Sequence, residues 1–179
     1  MRIIFRARSP RGDRDRWKGR CRQEPACSNL RERIGGTVIS VDDHIDEAQG
    51  VYVPALRVSD LRGSLAGAAT PQIVEGVCWL NVLQAIDCKS AVHVYVRRLS
   101  AGRYWRDEVI CDPSEPIADI IAREVASLRQ FAEAKASISG KEPPAPDSIR
   151  LTPLREEIIR YHASVLPFRT ADIVVSLEE

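Results

Sequence analysis

The chain has 179 residues, 44% of them hydrophobic, which is enough for one core and too few for two independent domains. Its formal net charge of +1 does not by itself predict a charged partner. No apolar run approaches the length of a membrane span, and no secretory leader is evident, so we expect no membrane partner. The five cysteines are odd in number and form no C-x-x-C pair, which favours a reduced, intracellular compartment.

The first part of the chain differs in charge from the rest. Residues 1–33 hold eleven Arg and Lys against four Asp and Glu, a net charge of +7 that the remainder offsets with −6. After a short strand at Arg2–Phe5, the composition predicts irregular or disordered structure. We therefore predict a basic arm that binds nucleic acid or another polyanion, with a solvated terminus that binds nothing as the alternative. Its candidate nucleic-acid-binding residues are Arg14, Arg16, Trp17, Lys18 and Arg20.

Residues 34–179 are predicted to form a single α+β domain, in which helices flank a mixed β-sheet. Its first elements are a strand at Thr37–Val41, an acidic turn, and a strand at Val51–Val58, which together make an antiparallel hairpin. A helix is expected at Thr70–Ile86. Its apolar residues lie on nearly all sides, which is typical of a buried helix.

The second half of the chain continues with strands and helices. Alternation in Ala91–Arg98 predicts a strand with valines on one face, and a further strand is expected at Arg103–Cys111. Apolar residues at helical spacing predict a long helix from a cap at Ser114 to Gly140, laid on the sheet. A last helix at Thr152–Leu166 precedes a strand at Ala171–Leu177 that completes an edge.

The acidic turn offers two interpretations. Four acids and a histidine lie between Asp42 and Glu47. Clustered carboxylates suit a hard cation, whereas a solvated hairpin tip favours aspartate for its turn chemistry. We favour the hairpin tip, because a cation-binding loop also needs glycine at a fixed spacing and none falls inside the cluster.

The order of the predicted elements resembles the catalytic core of RecB-like and lambda-exonuclease-like nucleases of the PD-(D/E)XK superfamily. Gly36-Thr37-Val38 resembles the start of that family's first strand, and Gln72 matches the glutamine that begins the family's next helix. The resemblance covers roughly Gly35–Pro144 and implies a restriction-endonuclease-like core. A strand, a helix bearing Glu and an alternating strand also resemble ribonuclease-H-like proteins.

The residues that the nuclease family uses for catalysis are substituted here. Where the family has acid-x-lysine, this chain has Ala55-Leu56-Arg57, and its metal-binding acid corresponds to Ile39 or Ser40. Alanine cannot hold a metal ion, and arginine stays protonated, so the resemblance implies a site without catalysis. An active site would need displaced acids that bind Mg²⁺ or Mn²⁺. The candidate catalytic residues are Asp42, Asp43, Asp60, Glu75 and Gln72.

Three functions follow from these patterns. The leading hypothesis is a catalytically degenerate nuclease-like domain that binds nucleic acid such as DNA, or a structural subunit of a nucleic-acid-associated complex, rather than an enzyme. Its candidate phosphate-binding residues outside the arm are Arg57, Arg62, Arg97 and Arg98. The alternatives are a metal-dependent deoxyribonuclease and a small protein–protein interaction domain. In the last case the exposed face of the long helix is the expected docking surface for a protein partner.

Overall fold

A computed structural model describes residues 3–5, 31–46, 49–88, 92–100, 102–105 and 107–178, with the backbone alone for residues 3–5. The strands are β1 Ile3–Phe5, β2 Thr37–Ser40, β3 Gln72–Glu75, β4 Val92–Leu99 and β5 Ile173–Glu178. The helices are α1 Val58–Gly67, α2 Trp79–Ala85, α3 Glu108–Cys111, α4 Ile117–Ser139 and α5 Pro153–Val165. A helical turn at 31–34 and short 3₁₀ helices at Val41–His44 and Pro146–Ser148 complete the described elements.

The strands form one sheet in the order β2-β3-β1-β4-β5, and each of these neighbouring pairs is parallel. The strand β1 therefore lies at the centre, although the sequence assigned Ile3–Phe5 to the basic arm. The prediction that helices and a sheet combine in the fold is confirmed. The mixed sheet is not found among the described strands, because their pairings are all parallel.

The order of the strands determines where the helices lie. The connections β2 to β3, β3 to β4 and β4 to β5 all run in the same direction across the sheet. Parallel strands are joined by right-handed crossovers, so connections that run in one direction cover the same face. The main core accordingly joins residues of β2 and β3 to residues of α1, α2 and α5. Its buried members include Ile39, Val74, Leu61, Val82 and Ile158.

The opposite face of the sheet is apolar as well. Its buried residues are Ile73, Val94 and Val96, which pack with further valines and a leucine of the neighbouring strands. Because parallel sheets are usually covered on both faces, their strands contain long apolar runs. The alternating valines that predicted β4 lie on this face, and His93 and Tyr95, which alternate with them, are buried as well.

The predicted hairpin is wrong, because Val51–Val58 is not a strand. It forms turns, a single antiparallel bridge between Ile45 and Leu56, and the start of α1. The carboxylate of Glu157 in α5 accepts hydrogen bonds from the backbone N–H groups of Tyr52 and Val53, at 2.6 and 2.8 Å. The β-branched and aromatic residues of this segment are therefore held as a loop by a residue about a hundred positions away.

The predicted helix at Thr70–Ile86 divides into a strand and a shorter helix. Residues Gln72–Glu75 form β3, and α2 begins only at Trp79. All four residues of β3 are buried, so polar and apolar residues do not alternate along this strand. Without that alternation, the periodicity of the sequence does not distinguish a short buried strand from part of a buried helix. The predicted cap Thr70 thus precedes a strand.

The remaining elements agree better with the sequence. The strand predicted at Ala91–Arg98 is confirmed as β4, and the last helix and strand are confirmed as α5 and β5. The strand predicted at Arg103–Cys111 is wrong, since this segment contains a turn, an isolated bridge and α3. The long helix α4 is confirmed and ends at Gly140, whose φ is 63°. However, α4 packs on α3 and α5 rather than on the sheet.

Candidate functional site

The candidate catalytic residues do not come together. Asp42 follows β2 and Glu75 ends β3, so both lie at the carboxyl edge of the sheet. Gln72 begins β3 and therefore lies at the opposite edge, where its amide donates hydrogen bonds to the carbonyls of Leu65 and Ala68. Asp60 lies on α1 in an exposed ion pair with Arg57, at 3.0 Å. Within the described ranges, no three His, Cys, Asp or Glu side chains are grouped as metal ligands.

Asp42 has a structural contact instead. Its Oδ1 accepts a hydrogen bond of 2.6 Å from the hydroxyl of Tyr52, which is 1% exposed. Burial raises the pKa of Tyr52 well above its usual value, and the charge of Asp42 raises it further. The hydroxyl also accepts from the backbone N–H of Val77 at 3.2 Å. This arrangement joins the ends of β2 and β3 through a permanently protonated tyrosine.

Gly76 is required at this junction. A Cβ at position 76 would lie 2.7 Å from the Tyr52 hydroxyl and 2.8 Å from Cβ of Val41. These separations are shorter than van der Waals contact, so a larger residue would displace the tyrosine. The edge beside Asp42 and Glu75 is thus packed by protein atoms.

The arginines predicted to bind nucleic acid lie in two separate places. Arg57 donates to the carbonyls of Ile45 and Asp43, and Arg62 donates to the carbonyl of Ile86. Both belong to the segment around α1, next to β2. Arg97 and Arg98 lie on β4, which is three strand positions away from β2, or roughly 14 Å. The candidates in the arm, from Arg14 to Arg20, lie outside the described residues.

An open cleft lies at the carboxyl ends of β4 and β5, with a volume of about 520 Å³. It is lined by Arg97, Leu99, Arg103, Tyr104, Trp105, Glu108, Ser176 and Glu178. The guanidinium carbon of Arg97 lies 5.5 Å from the ring centre of Trp105, within the range of a cation–π contact. Nε of Arg97 also donates to the hydroxyl of Ser176 at 2.9 Å. Arg97 is therefore fixed in the wall of the cleft.

The most exposed aromatic residue of the cleft is Tyr104, at 76%. A tight turn presents it. Gly102 and Arg103 have φ values of 94° and 64°, and the backbone N–H of Ser100 donates to the carbonyl of Tyr104 at 2.9 Å. The exposed ion pair between Arg103 and Glu178, at 3.1 Å, lies beside it. The cleft thus offers an aromatic face, cationic donors and carboxylate acceptors.

A buried cluster of aromatic side chains packs against Trp105, which lines the cleft. Tyr95 contacts the rings of Trp105, Phe168 and His162, with centroids 5.6 to 6.3 Å apart. Burial lowers the pKa of His162 to about 4 and raises that of Cys111 to about 11. Burial also raises the pKa of Tyr95, so these groups are neutral at neutral pH. Their arrangement fits a rigid support better than proton transfer.

Arg97 was among the candidate residues predicted from the sequence, but Tyr104 and Trp105 were not. The prediction of a strand at Arg103–Cys111 assigned these aromatic residues to a sheet. The available signal was a pair of adjacent aromatic residues one residue after the turn residues Ser100-Ala101-Gly102. Tyr104 is exposed after this turn, whereas Trp105 packs on Tyr95 and Phe168.

Comparison with known proteins gives no relative. No family model, no curated protein and no solved structure matches the chain. In the described part of the chain, no helix has both the length and the apolar character needed to cross a membrane. The residues of the cleft are therefore the basis for assigning a function.

Proposed function

We propose that the domain is a non-catalytic nucleic-acid-binding module and that the cleft at the ends of β4 and β5 receives a base of a single strand. The observation that carries this proposal is the combination of exposed Tyr104 with fixed Arg97 at the carboxyl edge of a parallel sheet. Open parallel sheets commonly bind ligands outside this edge, beside the point where connections diverge. Here the connection from β1 leads towards β2 and that from β4 leads towards β5, so the connections diverge between β1 and β4, next to the strand whose end lines the cleft.

The chemistry of the cleft suits a base. Unstacked bases bind proteins by stacking on aromatic rings and by hydrogen bonds along their edges. Tyr104 offers the ring, while Arg97 and Arg103 offer donors to ring nitrogens and carbonyl oxygens. Glu108 and Glu178 offer acceptors to amino groups. A base carries both kinds of group, whereas a simple anion would meet two carboxylates in the same cleft.

The phosphates need a separate source of positive charge, since the two arginines and two glutamates of the cleft balance each other. The sequence from Arg6 to Arg20, which follows β1 along the chain and is rich in arginine, supplies it in this proposal. Phosphate contacts by Lys and Arg give most of the affinity for nucleic acid and make it dependent on salt. We therefore expect the cleft to determine the preference for a single strand, and the basic segment to determine how strongly binding depends on salt.

Catalysis is not part of this proposal. The deoxyribonuclease alternative needs acids that converge on Mg²⁺ or Mn²⁺, whereas Asp42, Asp60 and Gln72 are separated or occupied by structural hydrogen bonds. We do not propose a restriction-endonuclease-like core either. Two elements on which that resemblance rested, the second hairpin strand and the helix beginning at Gln72, have other structures here.

A protein-interaction function is the second candidate. It is favoured by the distal half of α4, where Phe131 is 70% exposed and Ile138 is 90% exposed. Exposed large apolar residues that line one helix face are typical of interaction surfaces. The two functions use different surfaces and do not exclude each other.

The test measures fluorescence anisotropy of labelled single-stranded and double-stranded DNA at about 50 and about 200 mM salt, with Mg²⁺ present. We expect salt-sensitive binding that favours the single strand, without cleavage. Tyr104→Ala should weaken single-strand binding by about 5- to 150-fold, because stacking of one base contributes roughly 1–3 kcal/mol. Its salt dependence should stay unchanged, since no charge is removed.

The matched control is Phe131→Ala, which also removes an exposed aromatic side chain but on α4, outside the lining of the cleft. This variant should bind DNA as the wild type does. Replacing Arg14, Arg16, Lys18 and Arg20 together by alanine should instead reduce the salt dependence. The proposal fails if the wild-type chain does not bind at low salt, or if Tyr104→Ala binds the single strand as tightly as wild type. Appearance of chelator-sensitive cleavage would favour the deoxyribonuclease.

A further inference from the structure

The apolar stripe of the long helix α4 is packed on the domain along only part of the helix, although Ala136, on another side of its distal half, is buried. It has 23 residues and is therefore about 34 Å long. Its first turns carry Ile117, Ile120 and Ile121, which pack with Ile110 of α3 and Ile159 of α5. Glu124 adds an ion pair of 2.7 Å with Arg155 of α5. Beyond Glu124 the helix continues for about four turns.

The same helix face stays apolar where it leaves these contacts. Leu128 is 41% exposed, Phe131 is 70% exposed and Ile138 is 90% exposed. At about 100° per residue, these three side chains continue the stripe that holds the first turns on α5. Lys135 lies on this stripe between Phe131 and Ile138 and is exposed. Residues 128, 131, 135 and 138 together form what we call the distal stripe.

The distal stripe is symmetric about position 133. Leu128 and Ile138 each lie five residues from this position, and Phe131 and Lys135 each lie two residues from it. A two-fold interface brings the same patch of two subunits together, so such a patch must contain its own complement. In an antiparallel pair centred at position 133, Leu128 faces Ile138 of the second copy. Phe131 faces Lys135 of the second copy.

We propose that the distal stripe binds the distal stripe of a second copy of this chain, with the two α4 helices antiparallel. The antiparallel arrangement brings each Lys135 ammonium to the ring of Phe131, where a cation–π contact is favourable. A parallel pair in register would place the two lysines side by side, which is unfavourable. The small side chains of Ala132 and Ala134 flank the axis and let the helices approach closely.

This pairing goes beyond nucleic-acid binding and uses a different surface. It also explains why three large apolar residues are placed on the outside of a helix whose charged residues cover its other sides. Arg129, for example, lies about 150° from the distal stripe around the helix. Substitution at Arg129 is therefore a matched control on the same helix.

Sedimentation velocity of the full chain, from about 1 µM to about 1 mM, measures the association. We expect the wild-type chain and Arg129→Glu to form dimers as the concentration rises. Phe131→Glu should remain monomeric or dimerise at least tenfold more weakly, while its circular dichroism and melting temperature stay near wild type because Phe131 is exposed. A wild-type chain that is monomeric throughout, or a Phe131→Glu chain that still dimerises like wild type, overturns the proposal.

Cross-linking tests the orientation. Leu128→Cys and Ile138→Cys are prepared separately, and each is oxidised alone and after mixing, with the wild-type chain showing the background from its own cysteines. The antiparallel pair predicts a cross-linked dimer that forms mainly in the mixture. Cross-linking that is as efficient in either variant alone as in the mixture contradicts the antiparallel arrangement. DNA binding by Phe131→Glu should be unaffected at low protein concentration, so failure here is distinct from failure of the proposed function.

Discussion

At the scale of single residues, burial decides how the titratable groups behave. His162 is 1% exposed, and its Nδ1 lies 2.9 Å from the carbonyl oxygen of Ile158. Because a carbonyl only accepts, Nδ1 carries the proton and Nε2 accepts from the Tyr95 hydroxyl at 3.4 Å. This neutral form satisfies both ring nitrogens without a charge. Of its two partners, Ile158 lies one turn away on the same helix, whereas Tyr95 comes from β4.

The buried histidine predicts a pH dependence of stability. Burial lowers the pKa of His162 to about 4 in the folded chain, below the usual value of 6.5. The unfolded chain then binds more protons between these pH values, so the free energy of unfolding should fall as the pH drops from 6.5 to 4. One pKa unit corresponds to about 1.4 kcal/mol, which gives a loss of roughly 3 kcal/mol. Urea unfolding across this pH range measures it.

The variant His162→Gln should show a flatter profile over the same range, whatever its stability at neutral pH. Burial also lowers the pKa of His93, which therefore contributes in the same direction. The double variant with His93→Gln should be flattest. A profile for His162→Gln that is as steep as wild type would show that another group causes the loss.

At the scale of elements, the helix ends that agree with the sequence are those with a local signal. Gly140 ends α4 in the left-handed conformation, and Thr152 caps α5 by accepting from the backbone N–H of Arg155 at 3.2 Å. Such signals work because they act within a few residues of the chain. The predicted cap Ser114 is different. The helix α4 begins after Pro116, and no side chain caps it.

This difference between two predicted caps can be measured. Thr152→Ala removes a hydrogen bond to the first turn of α5 and should lower the free energy of unfolding by about 1 kcal/mol. Ser114→Ala is the matched control, and we expect a change within about 0.5 kcal/mol because Ser114 is exposed. Chemical denaturation of both variants gives the comparison. Equal losses would mean that the two residues have equivalent roles.

At the scale of the whole molecule, the position of β1 is the main feature of the sheet. This strand of three residues pairs with β3 on one side and β4 on the other. The final strand β5 pairs with β4 and completes an edge. The N-terminal strand β1 therefore joins the two halves of the sheet, whereas the C-terminal strand β5 extends one edge. We expect the stability of the sheet to depend more on β1 than on β5.

Removal of each terminal strand tests this inequality. Deletion of residues 1–5 takes away the centre of the sheet, so we expect loss of the cooperative unfolding transition. Deletion of residues 173–179 removes the edge strand and should lower stability while a cooperative transition remains. Thermal unfolding followed by circular dichroism distinguishes the two. A chain lacking residues 1–5 that unfolds as cooperatively as wild type would contradict the central position of β1.

The sequence by itself determined the features that depend on local chemistry. Alternating valines predicted β4, helical spacing predicted α4 and α5, and terminal residues such as Gly140 and Thr152 predicted where helices end. Each of these patterns is long or has a cap, so the local preference of the backbone and the burial pattern agree. That Arg97 binds nucleic acid stays a prediction.

Only the tertiary structure decided the rest. The segment Val51–Val58 has the composition of a strand, but hydrogen bonds to Glu157 hold it as a loop. Phe131 and Ile138 have the spacing of core residues, but α4 extends past the helices that could bury them. Burial and long-range hydrogen bonds depend on which segments meet in space, and short apolar patterns are compatible with several such arrangements. In the tertiary structure, part of the apolar side of α4 is therefore exposed rather than laid on the sheet. The strand predicted at Arg103–Cys111 is replaced by a turn, on which Tyr104 is exposed.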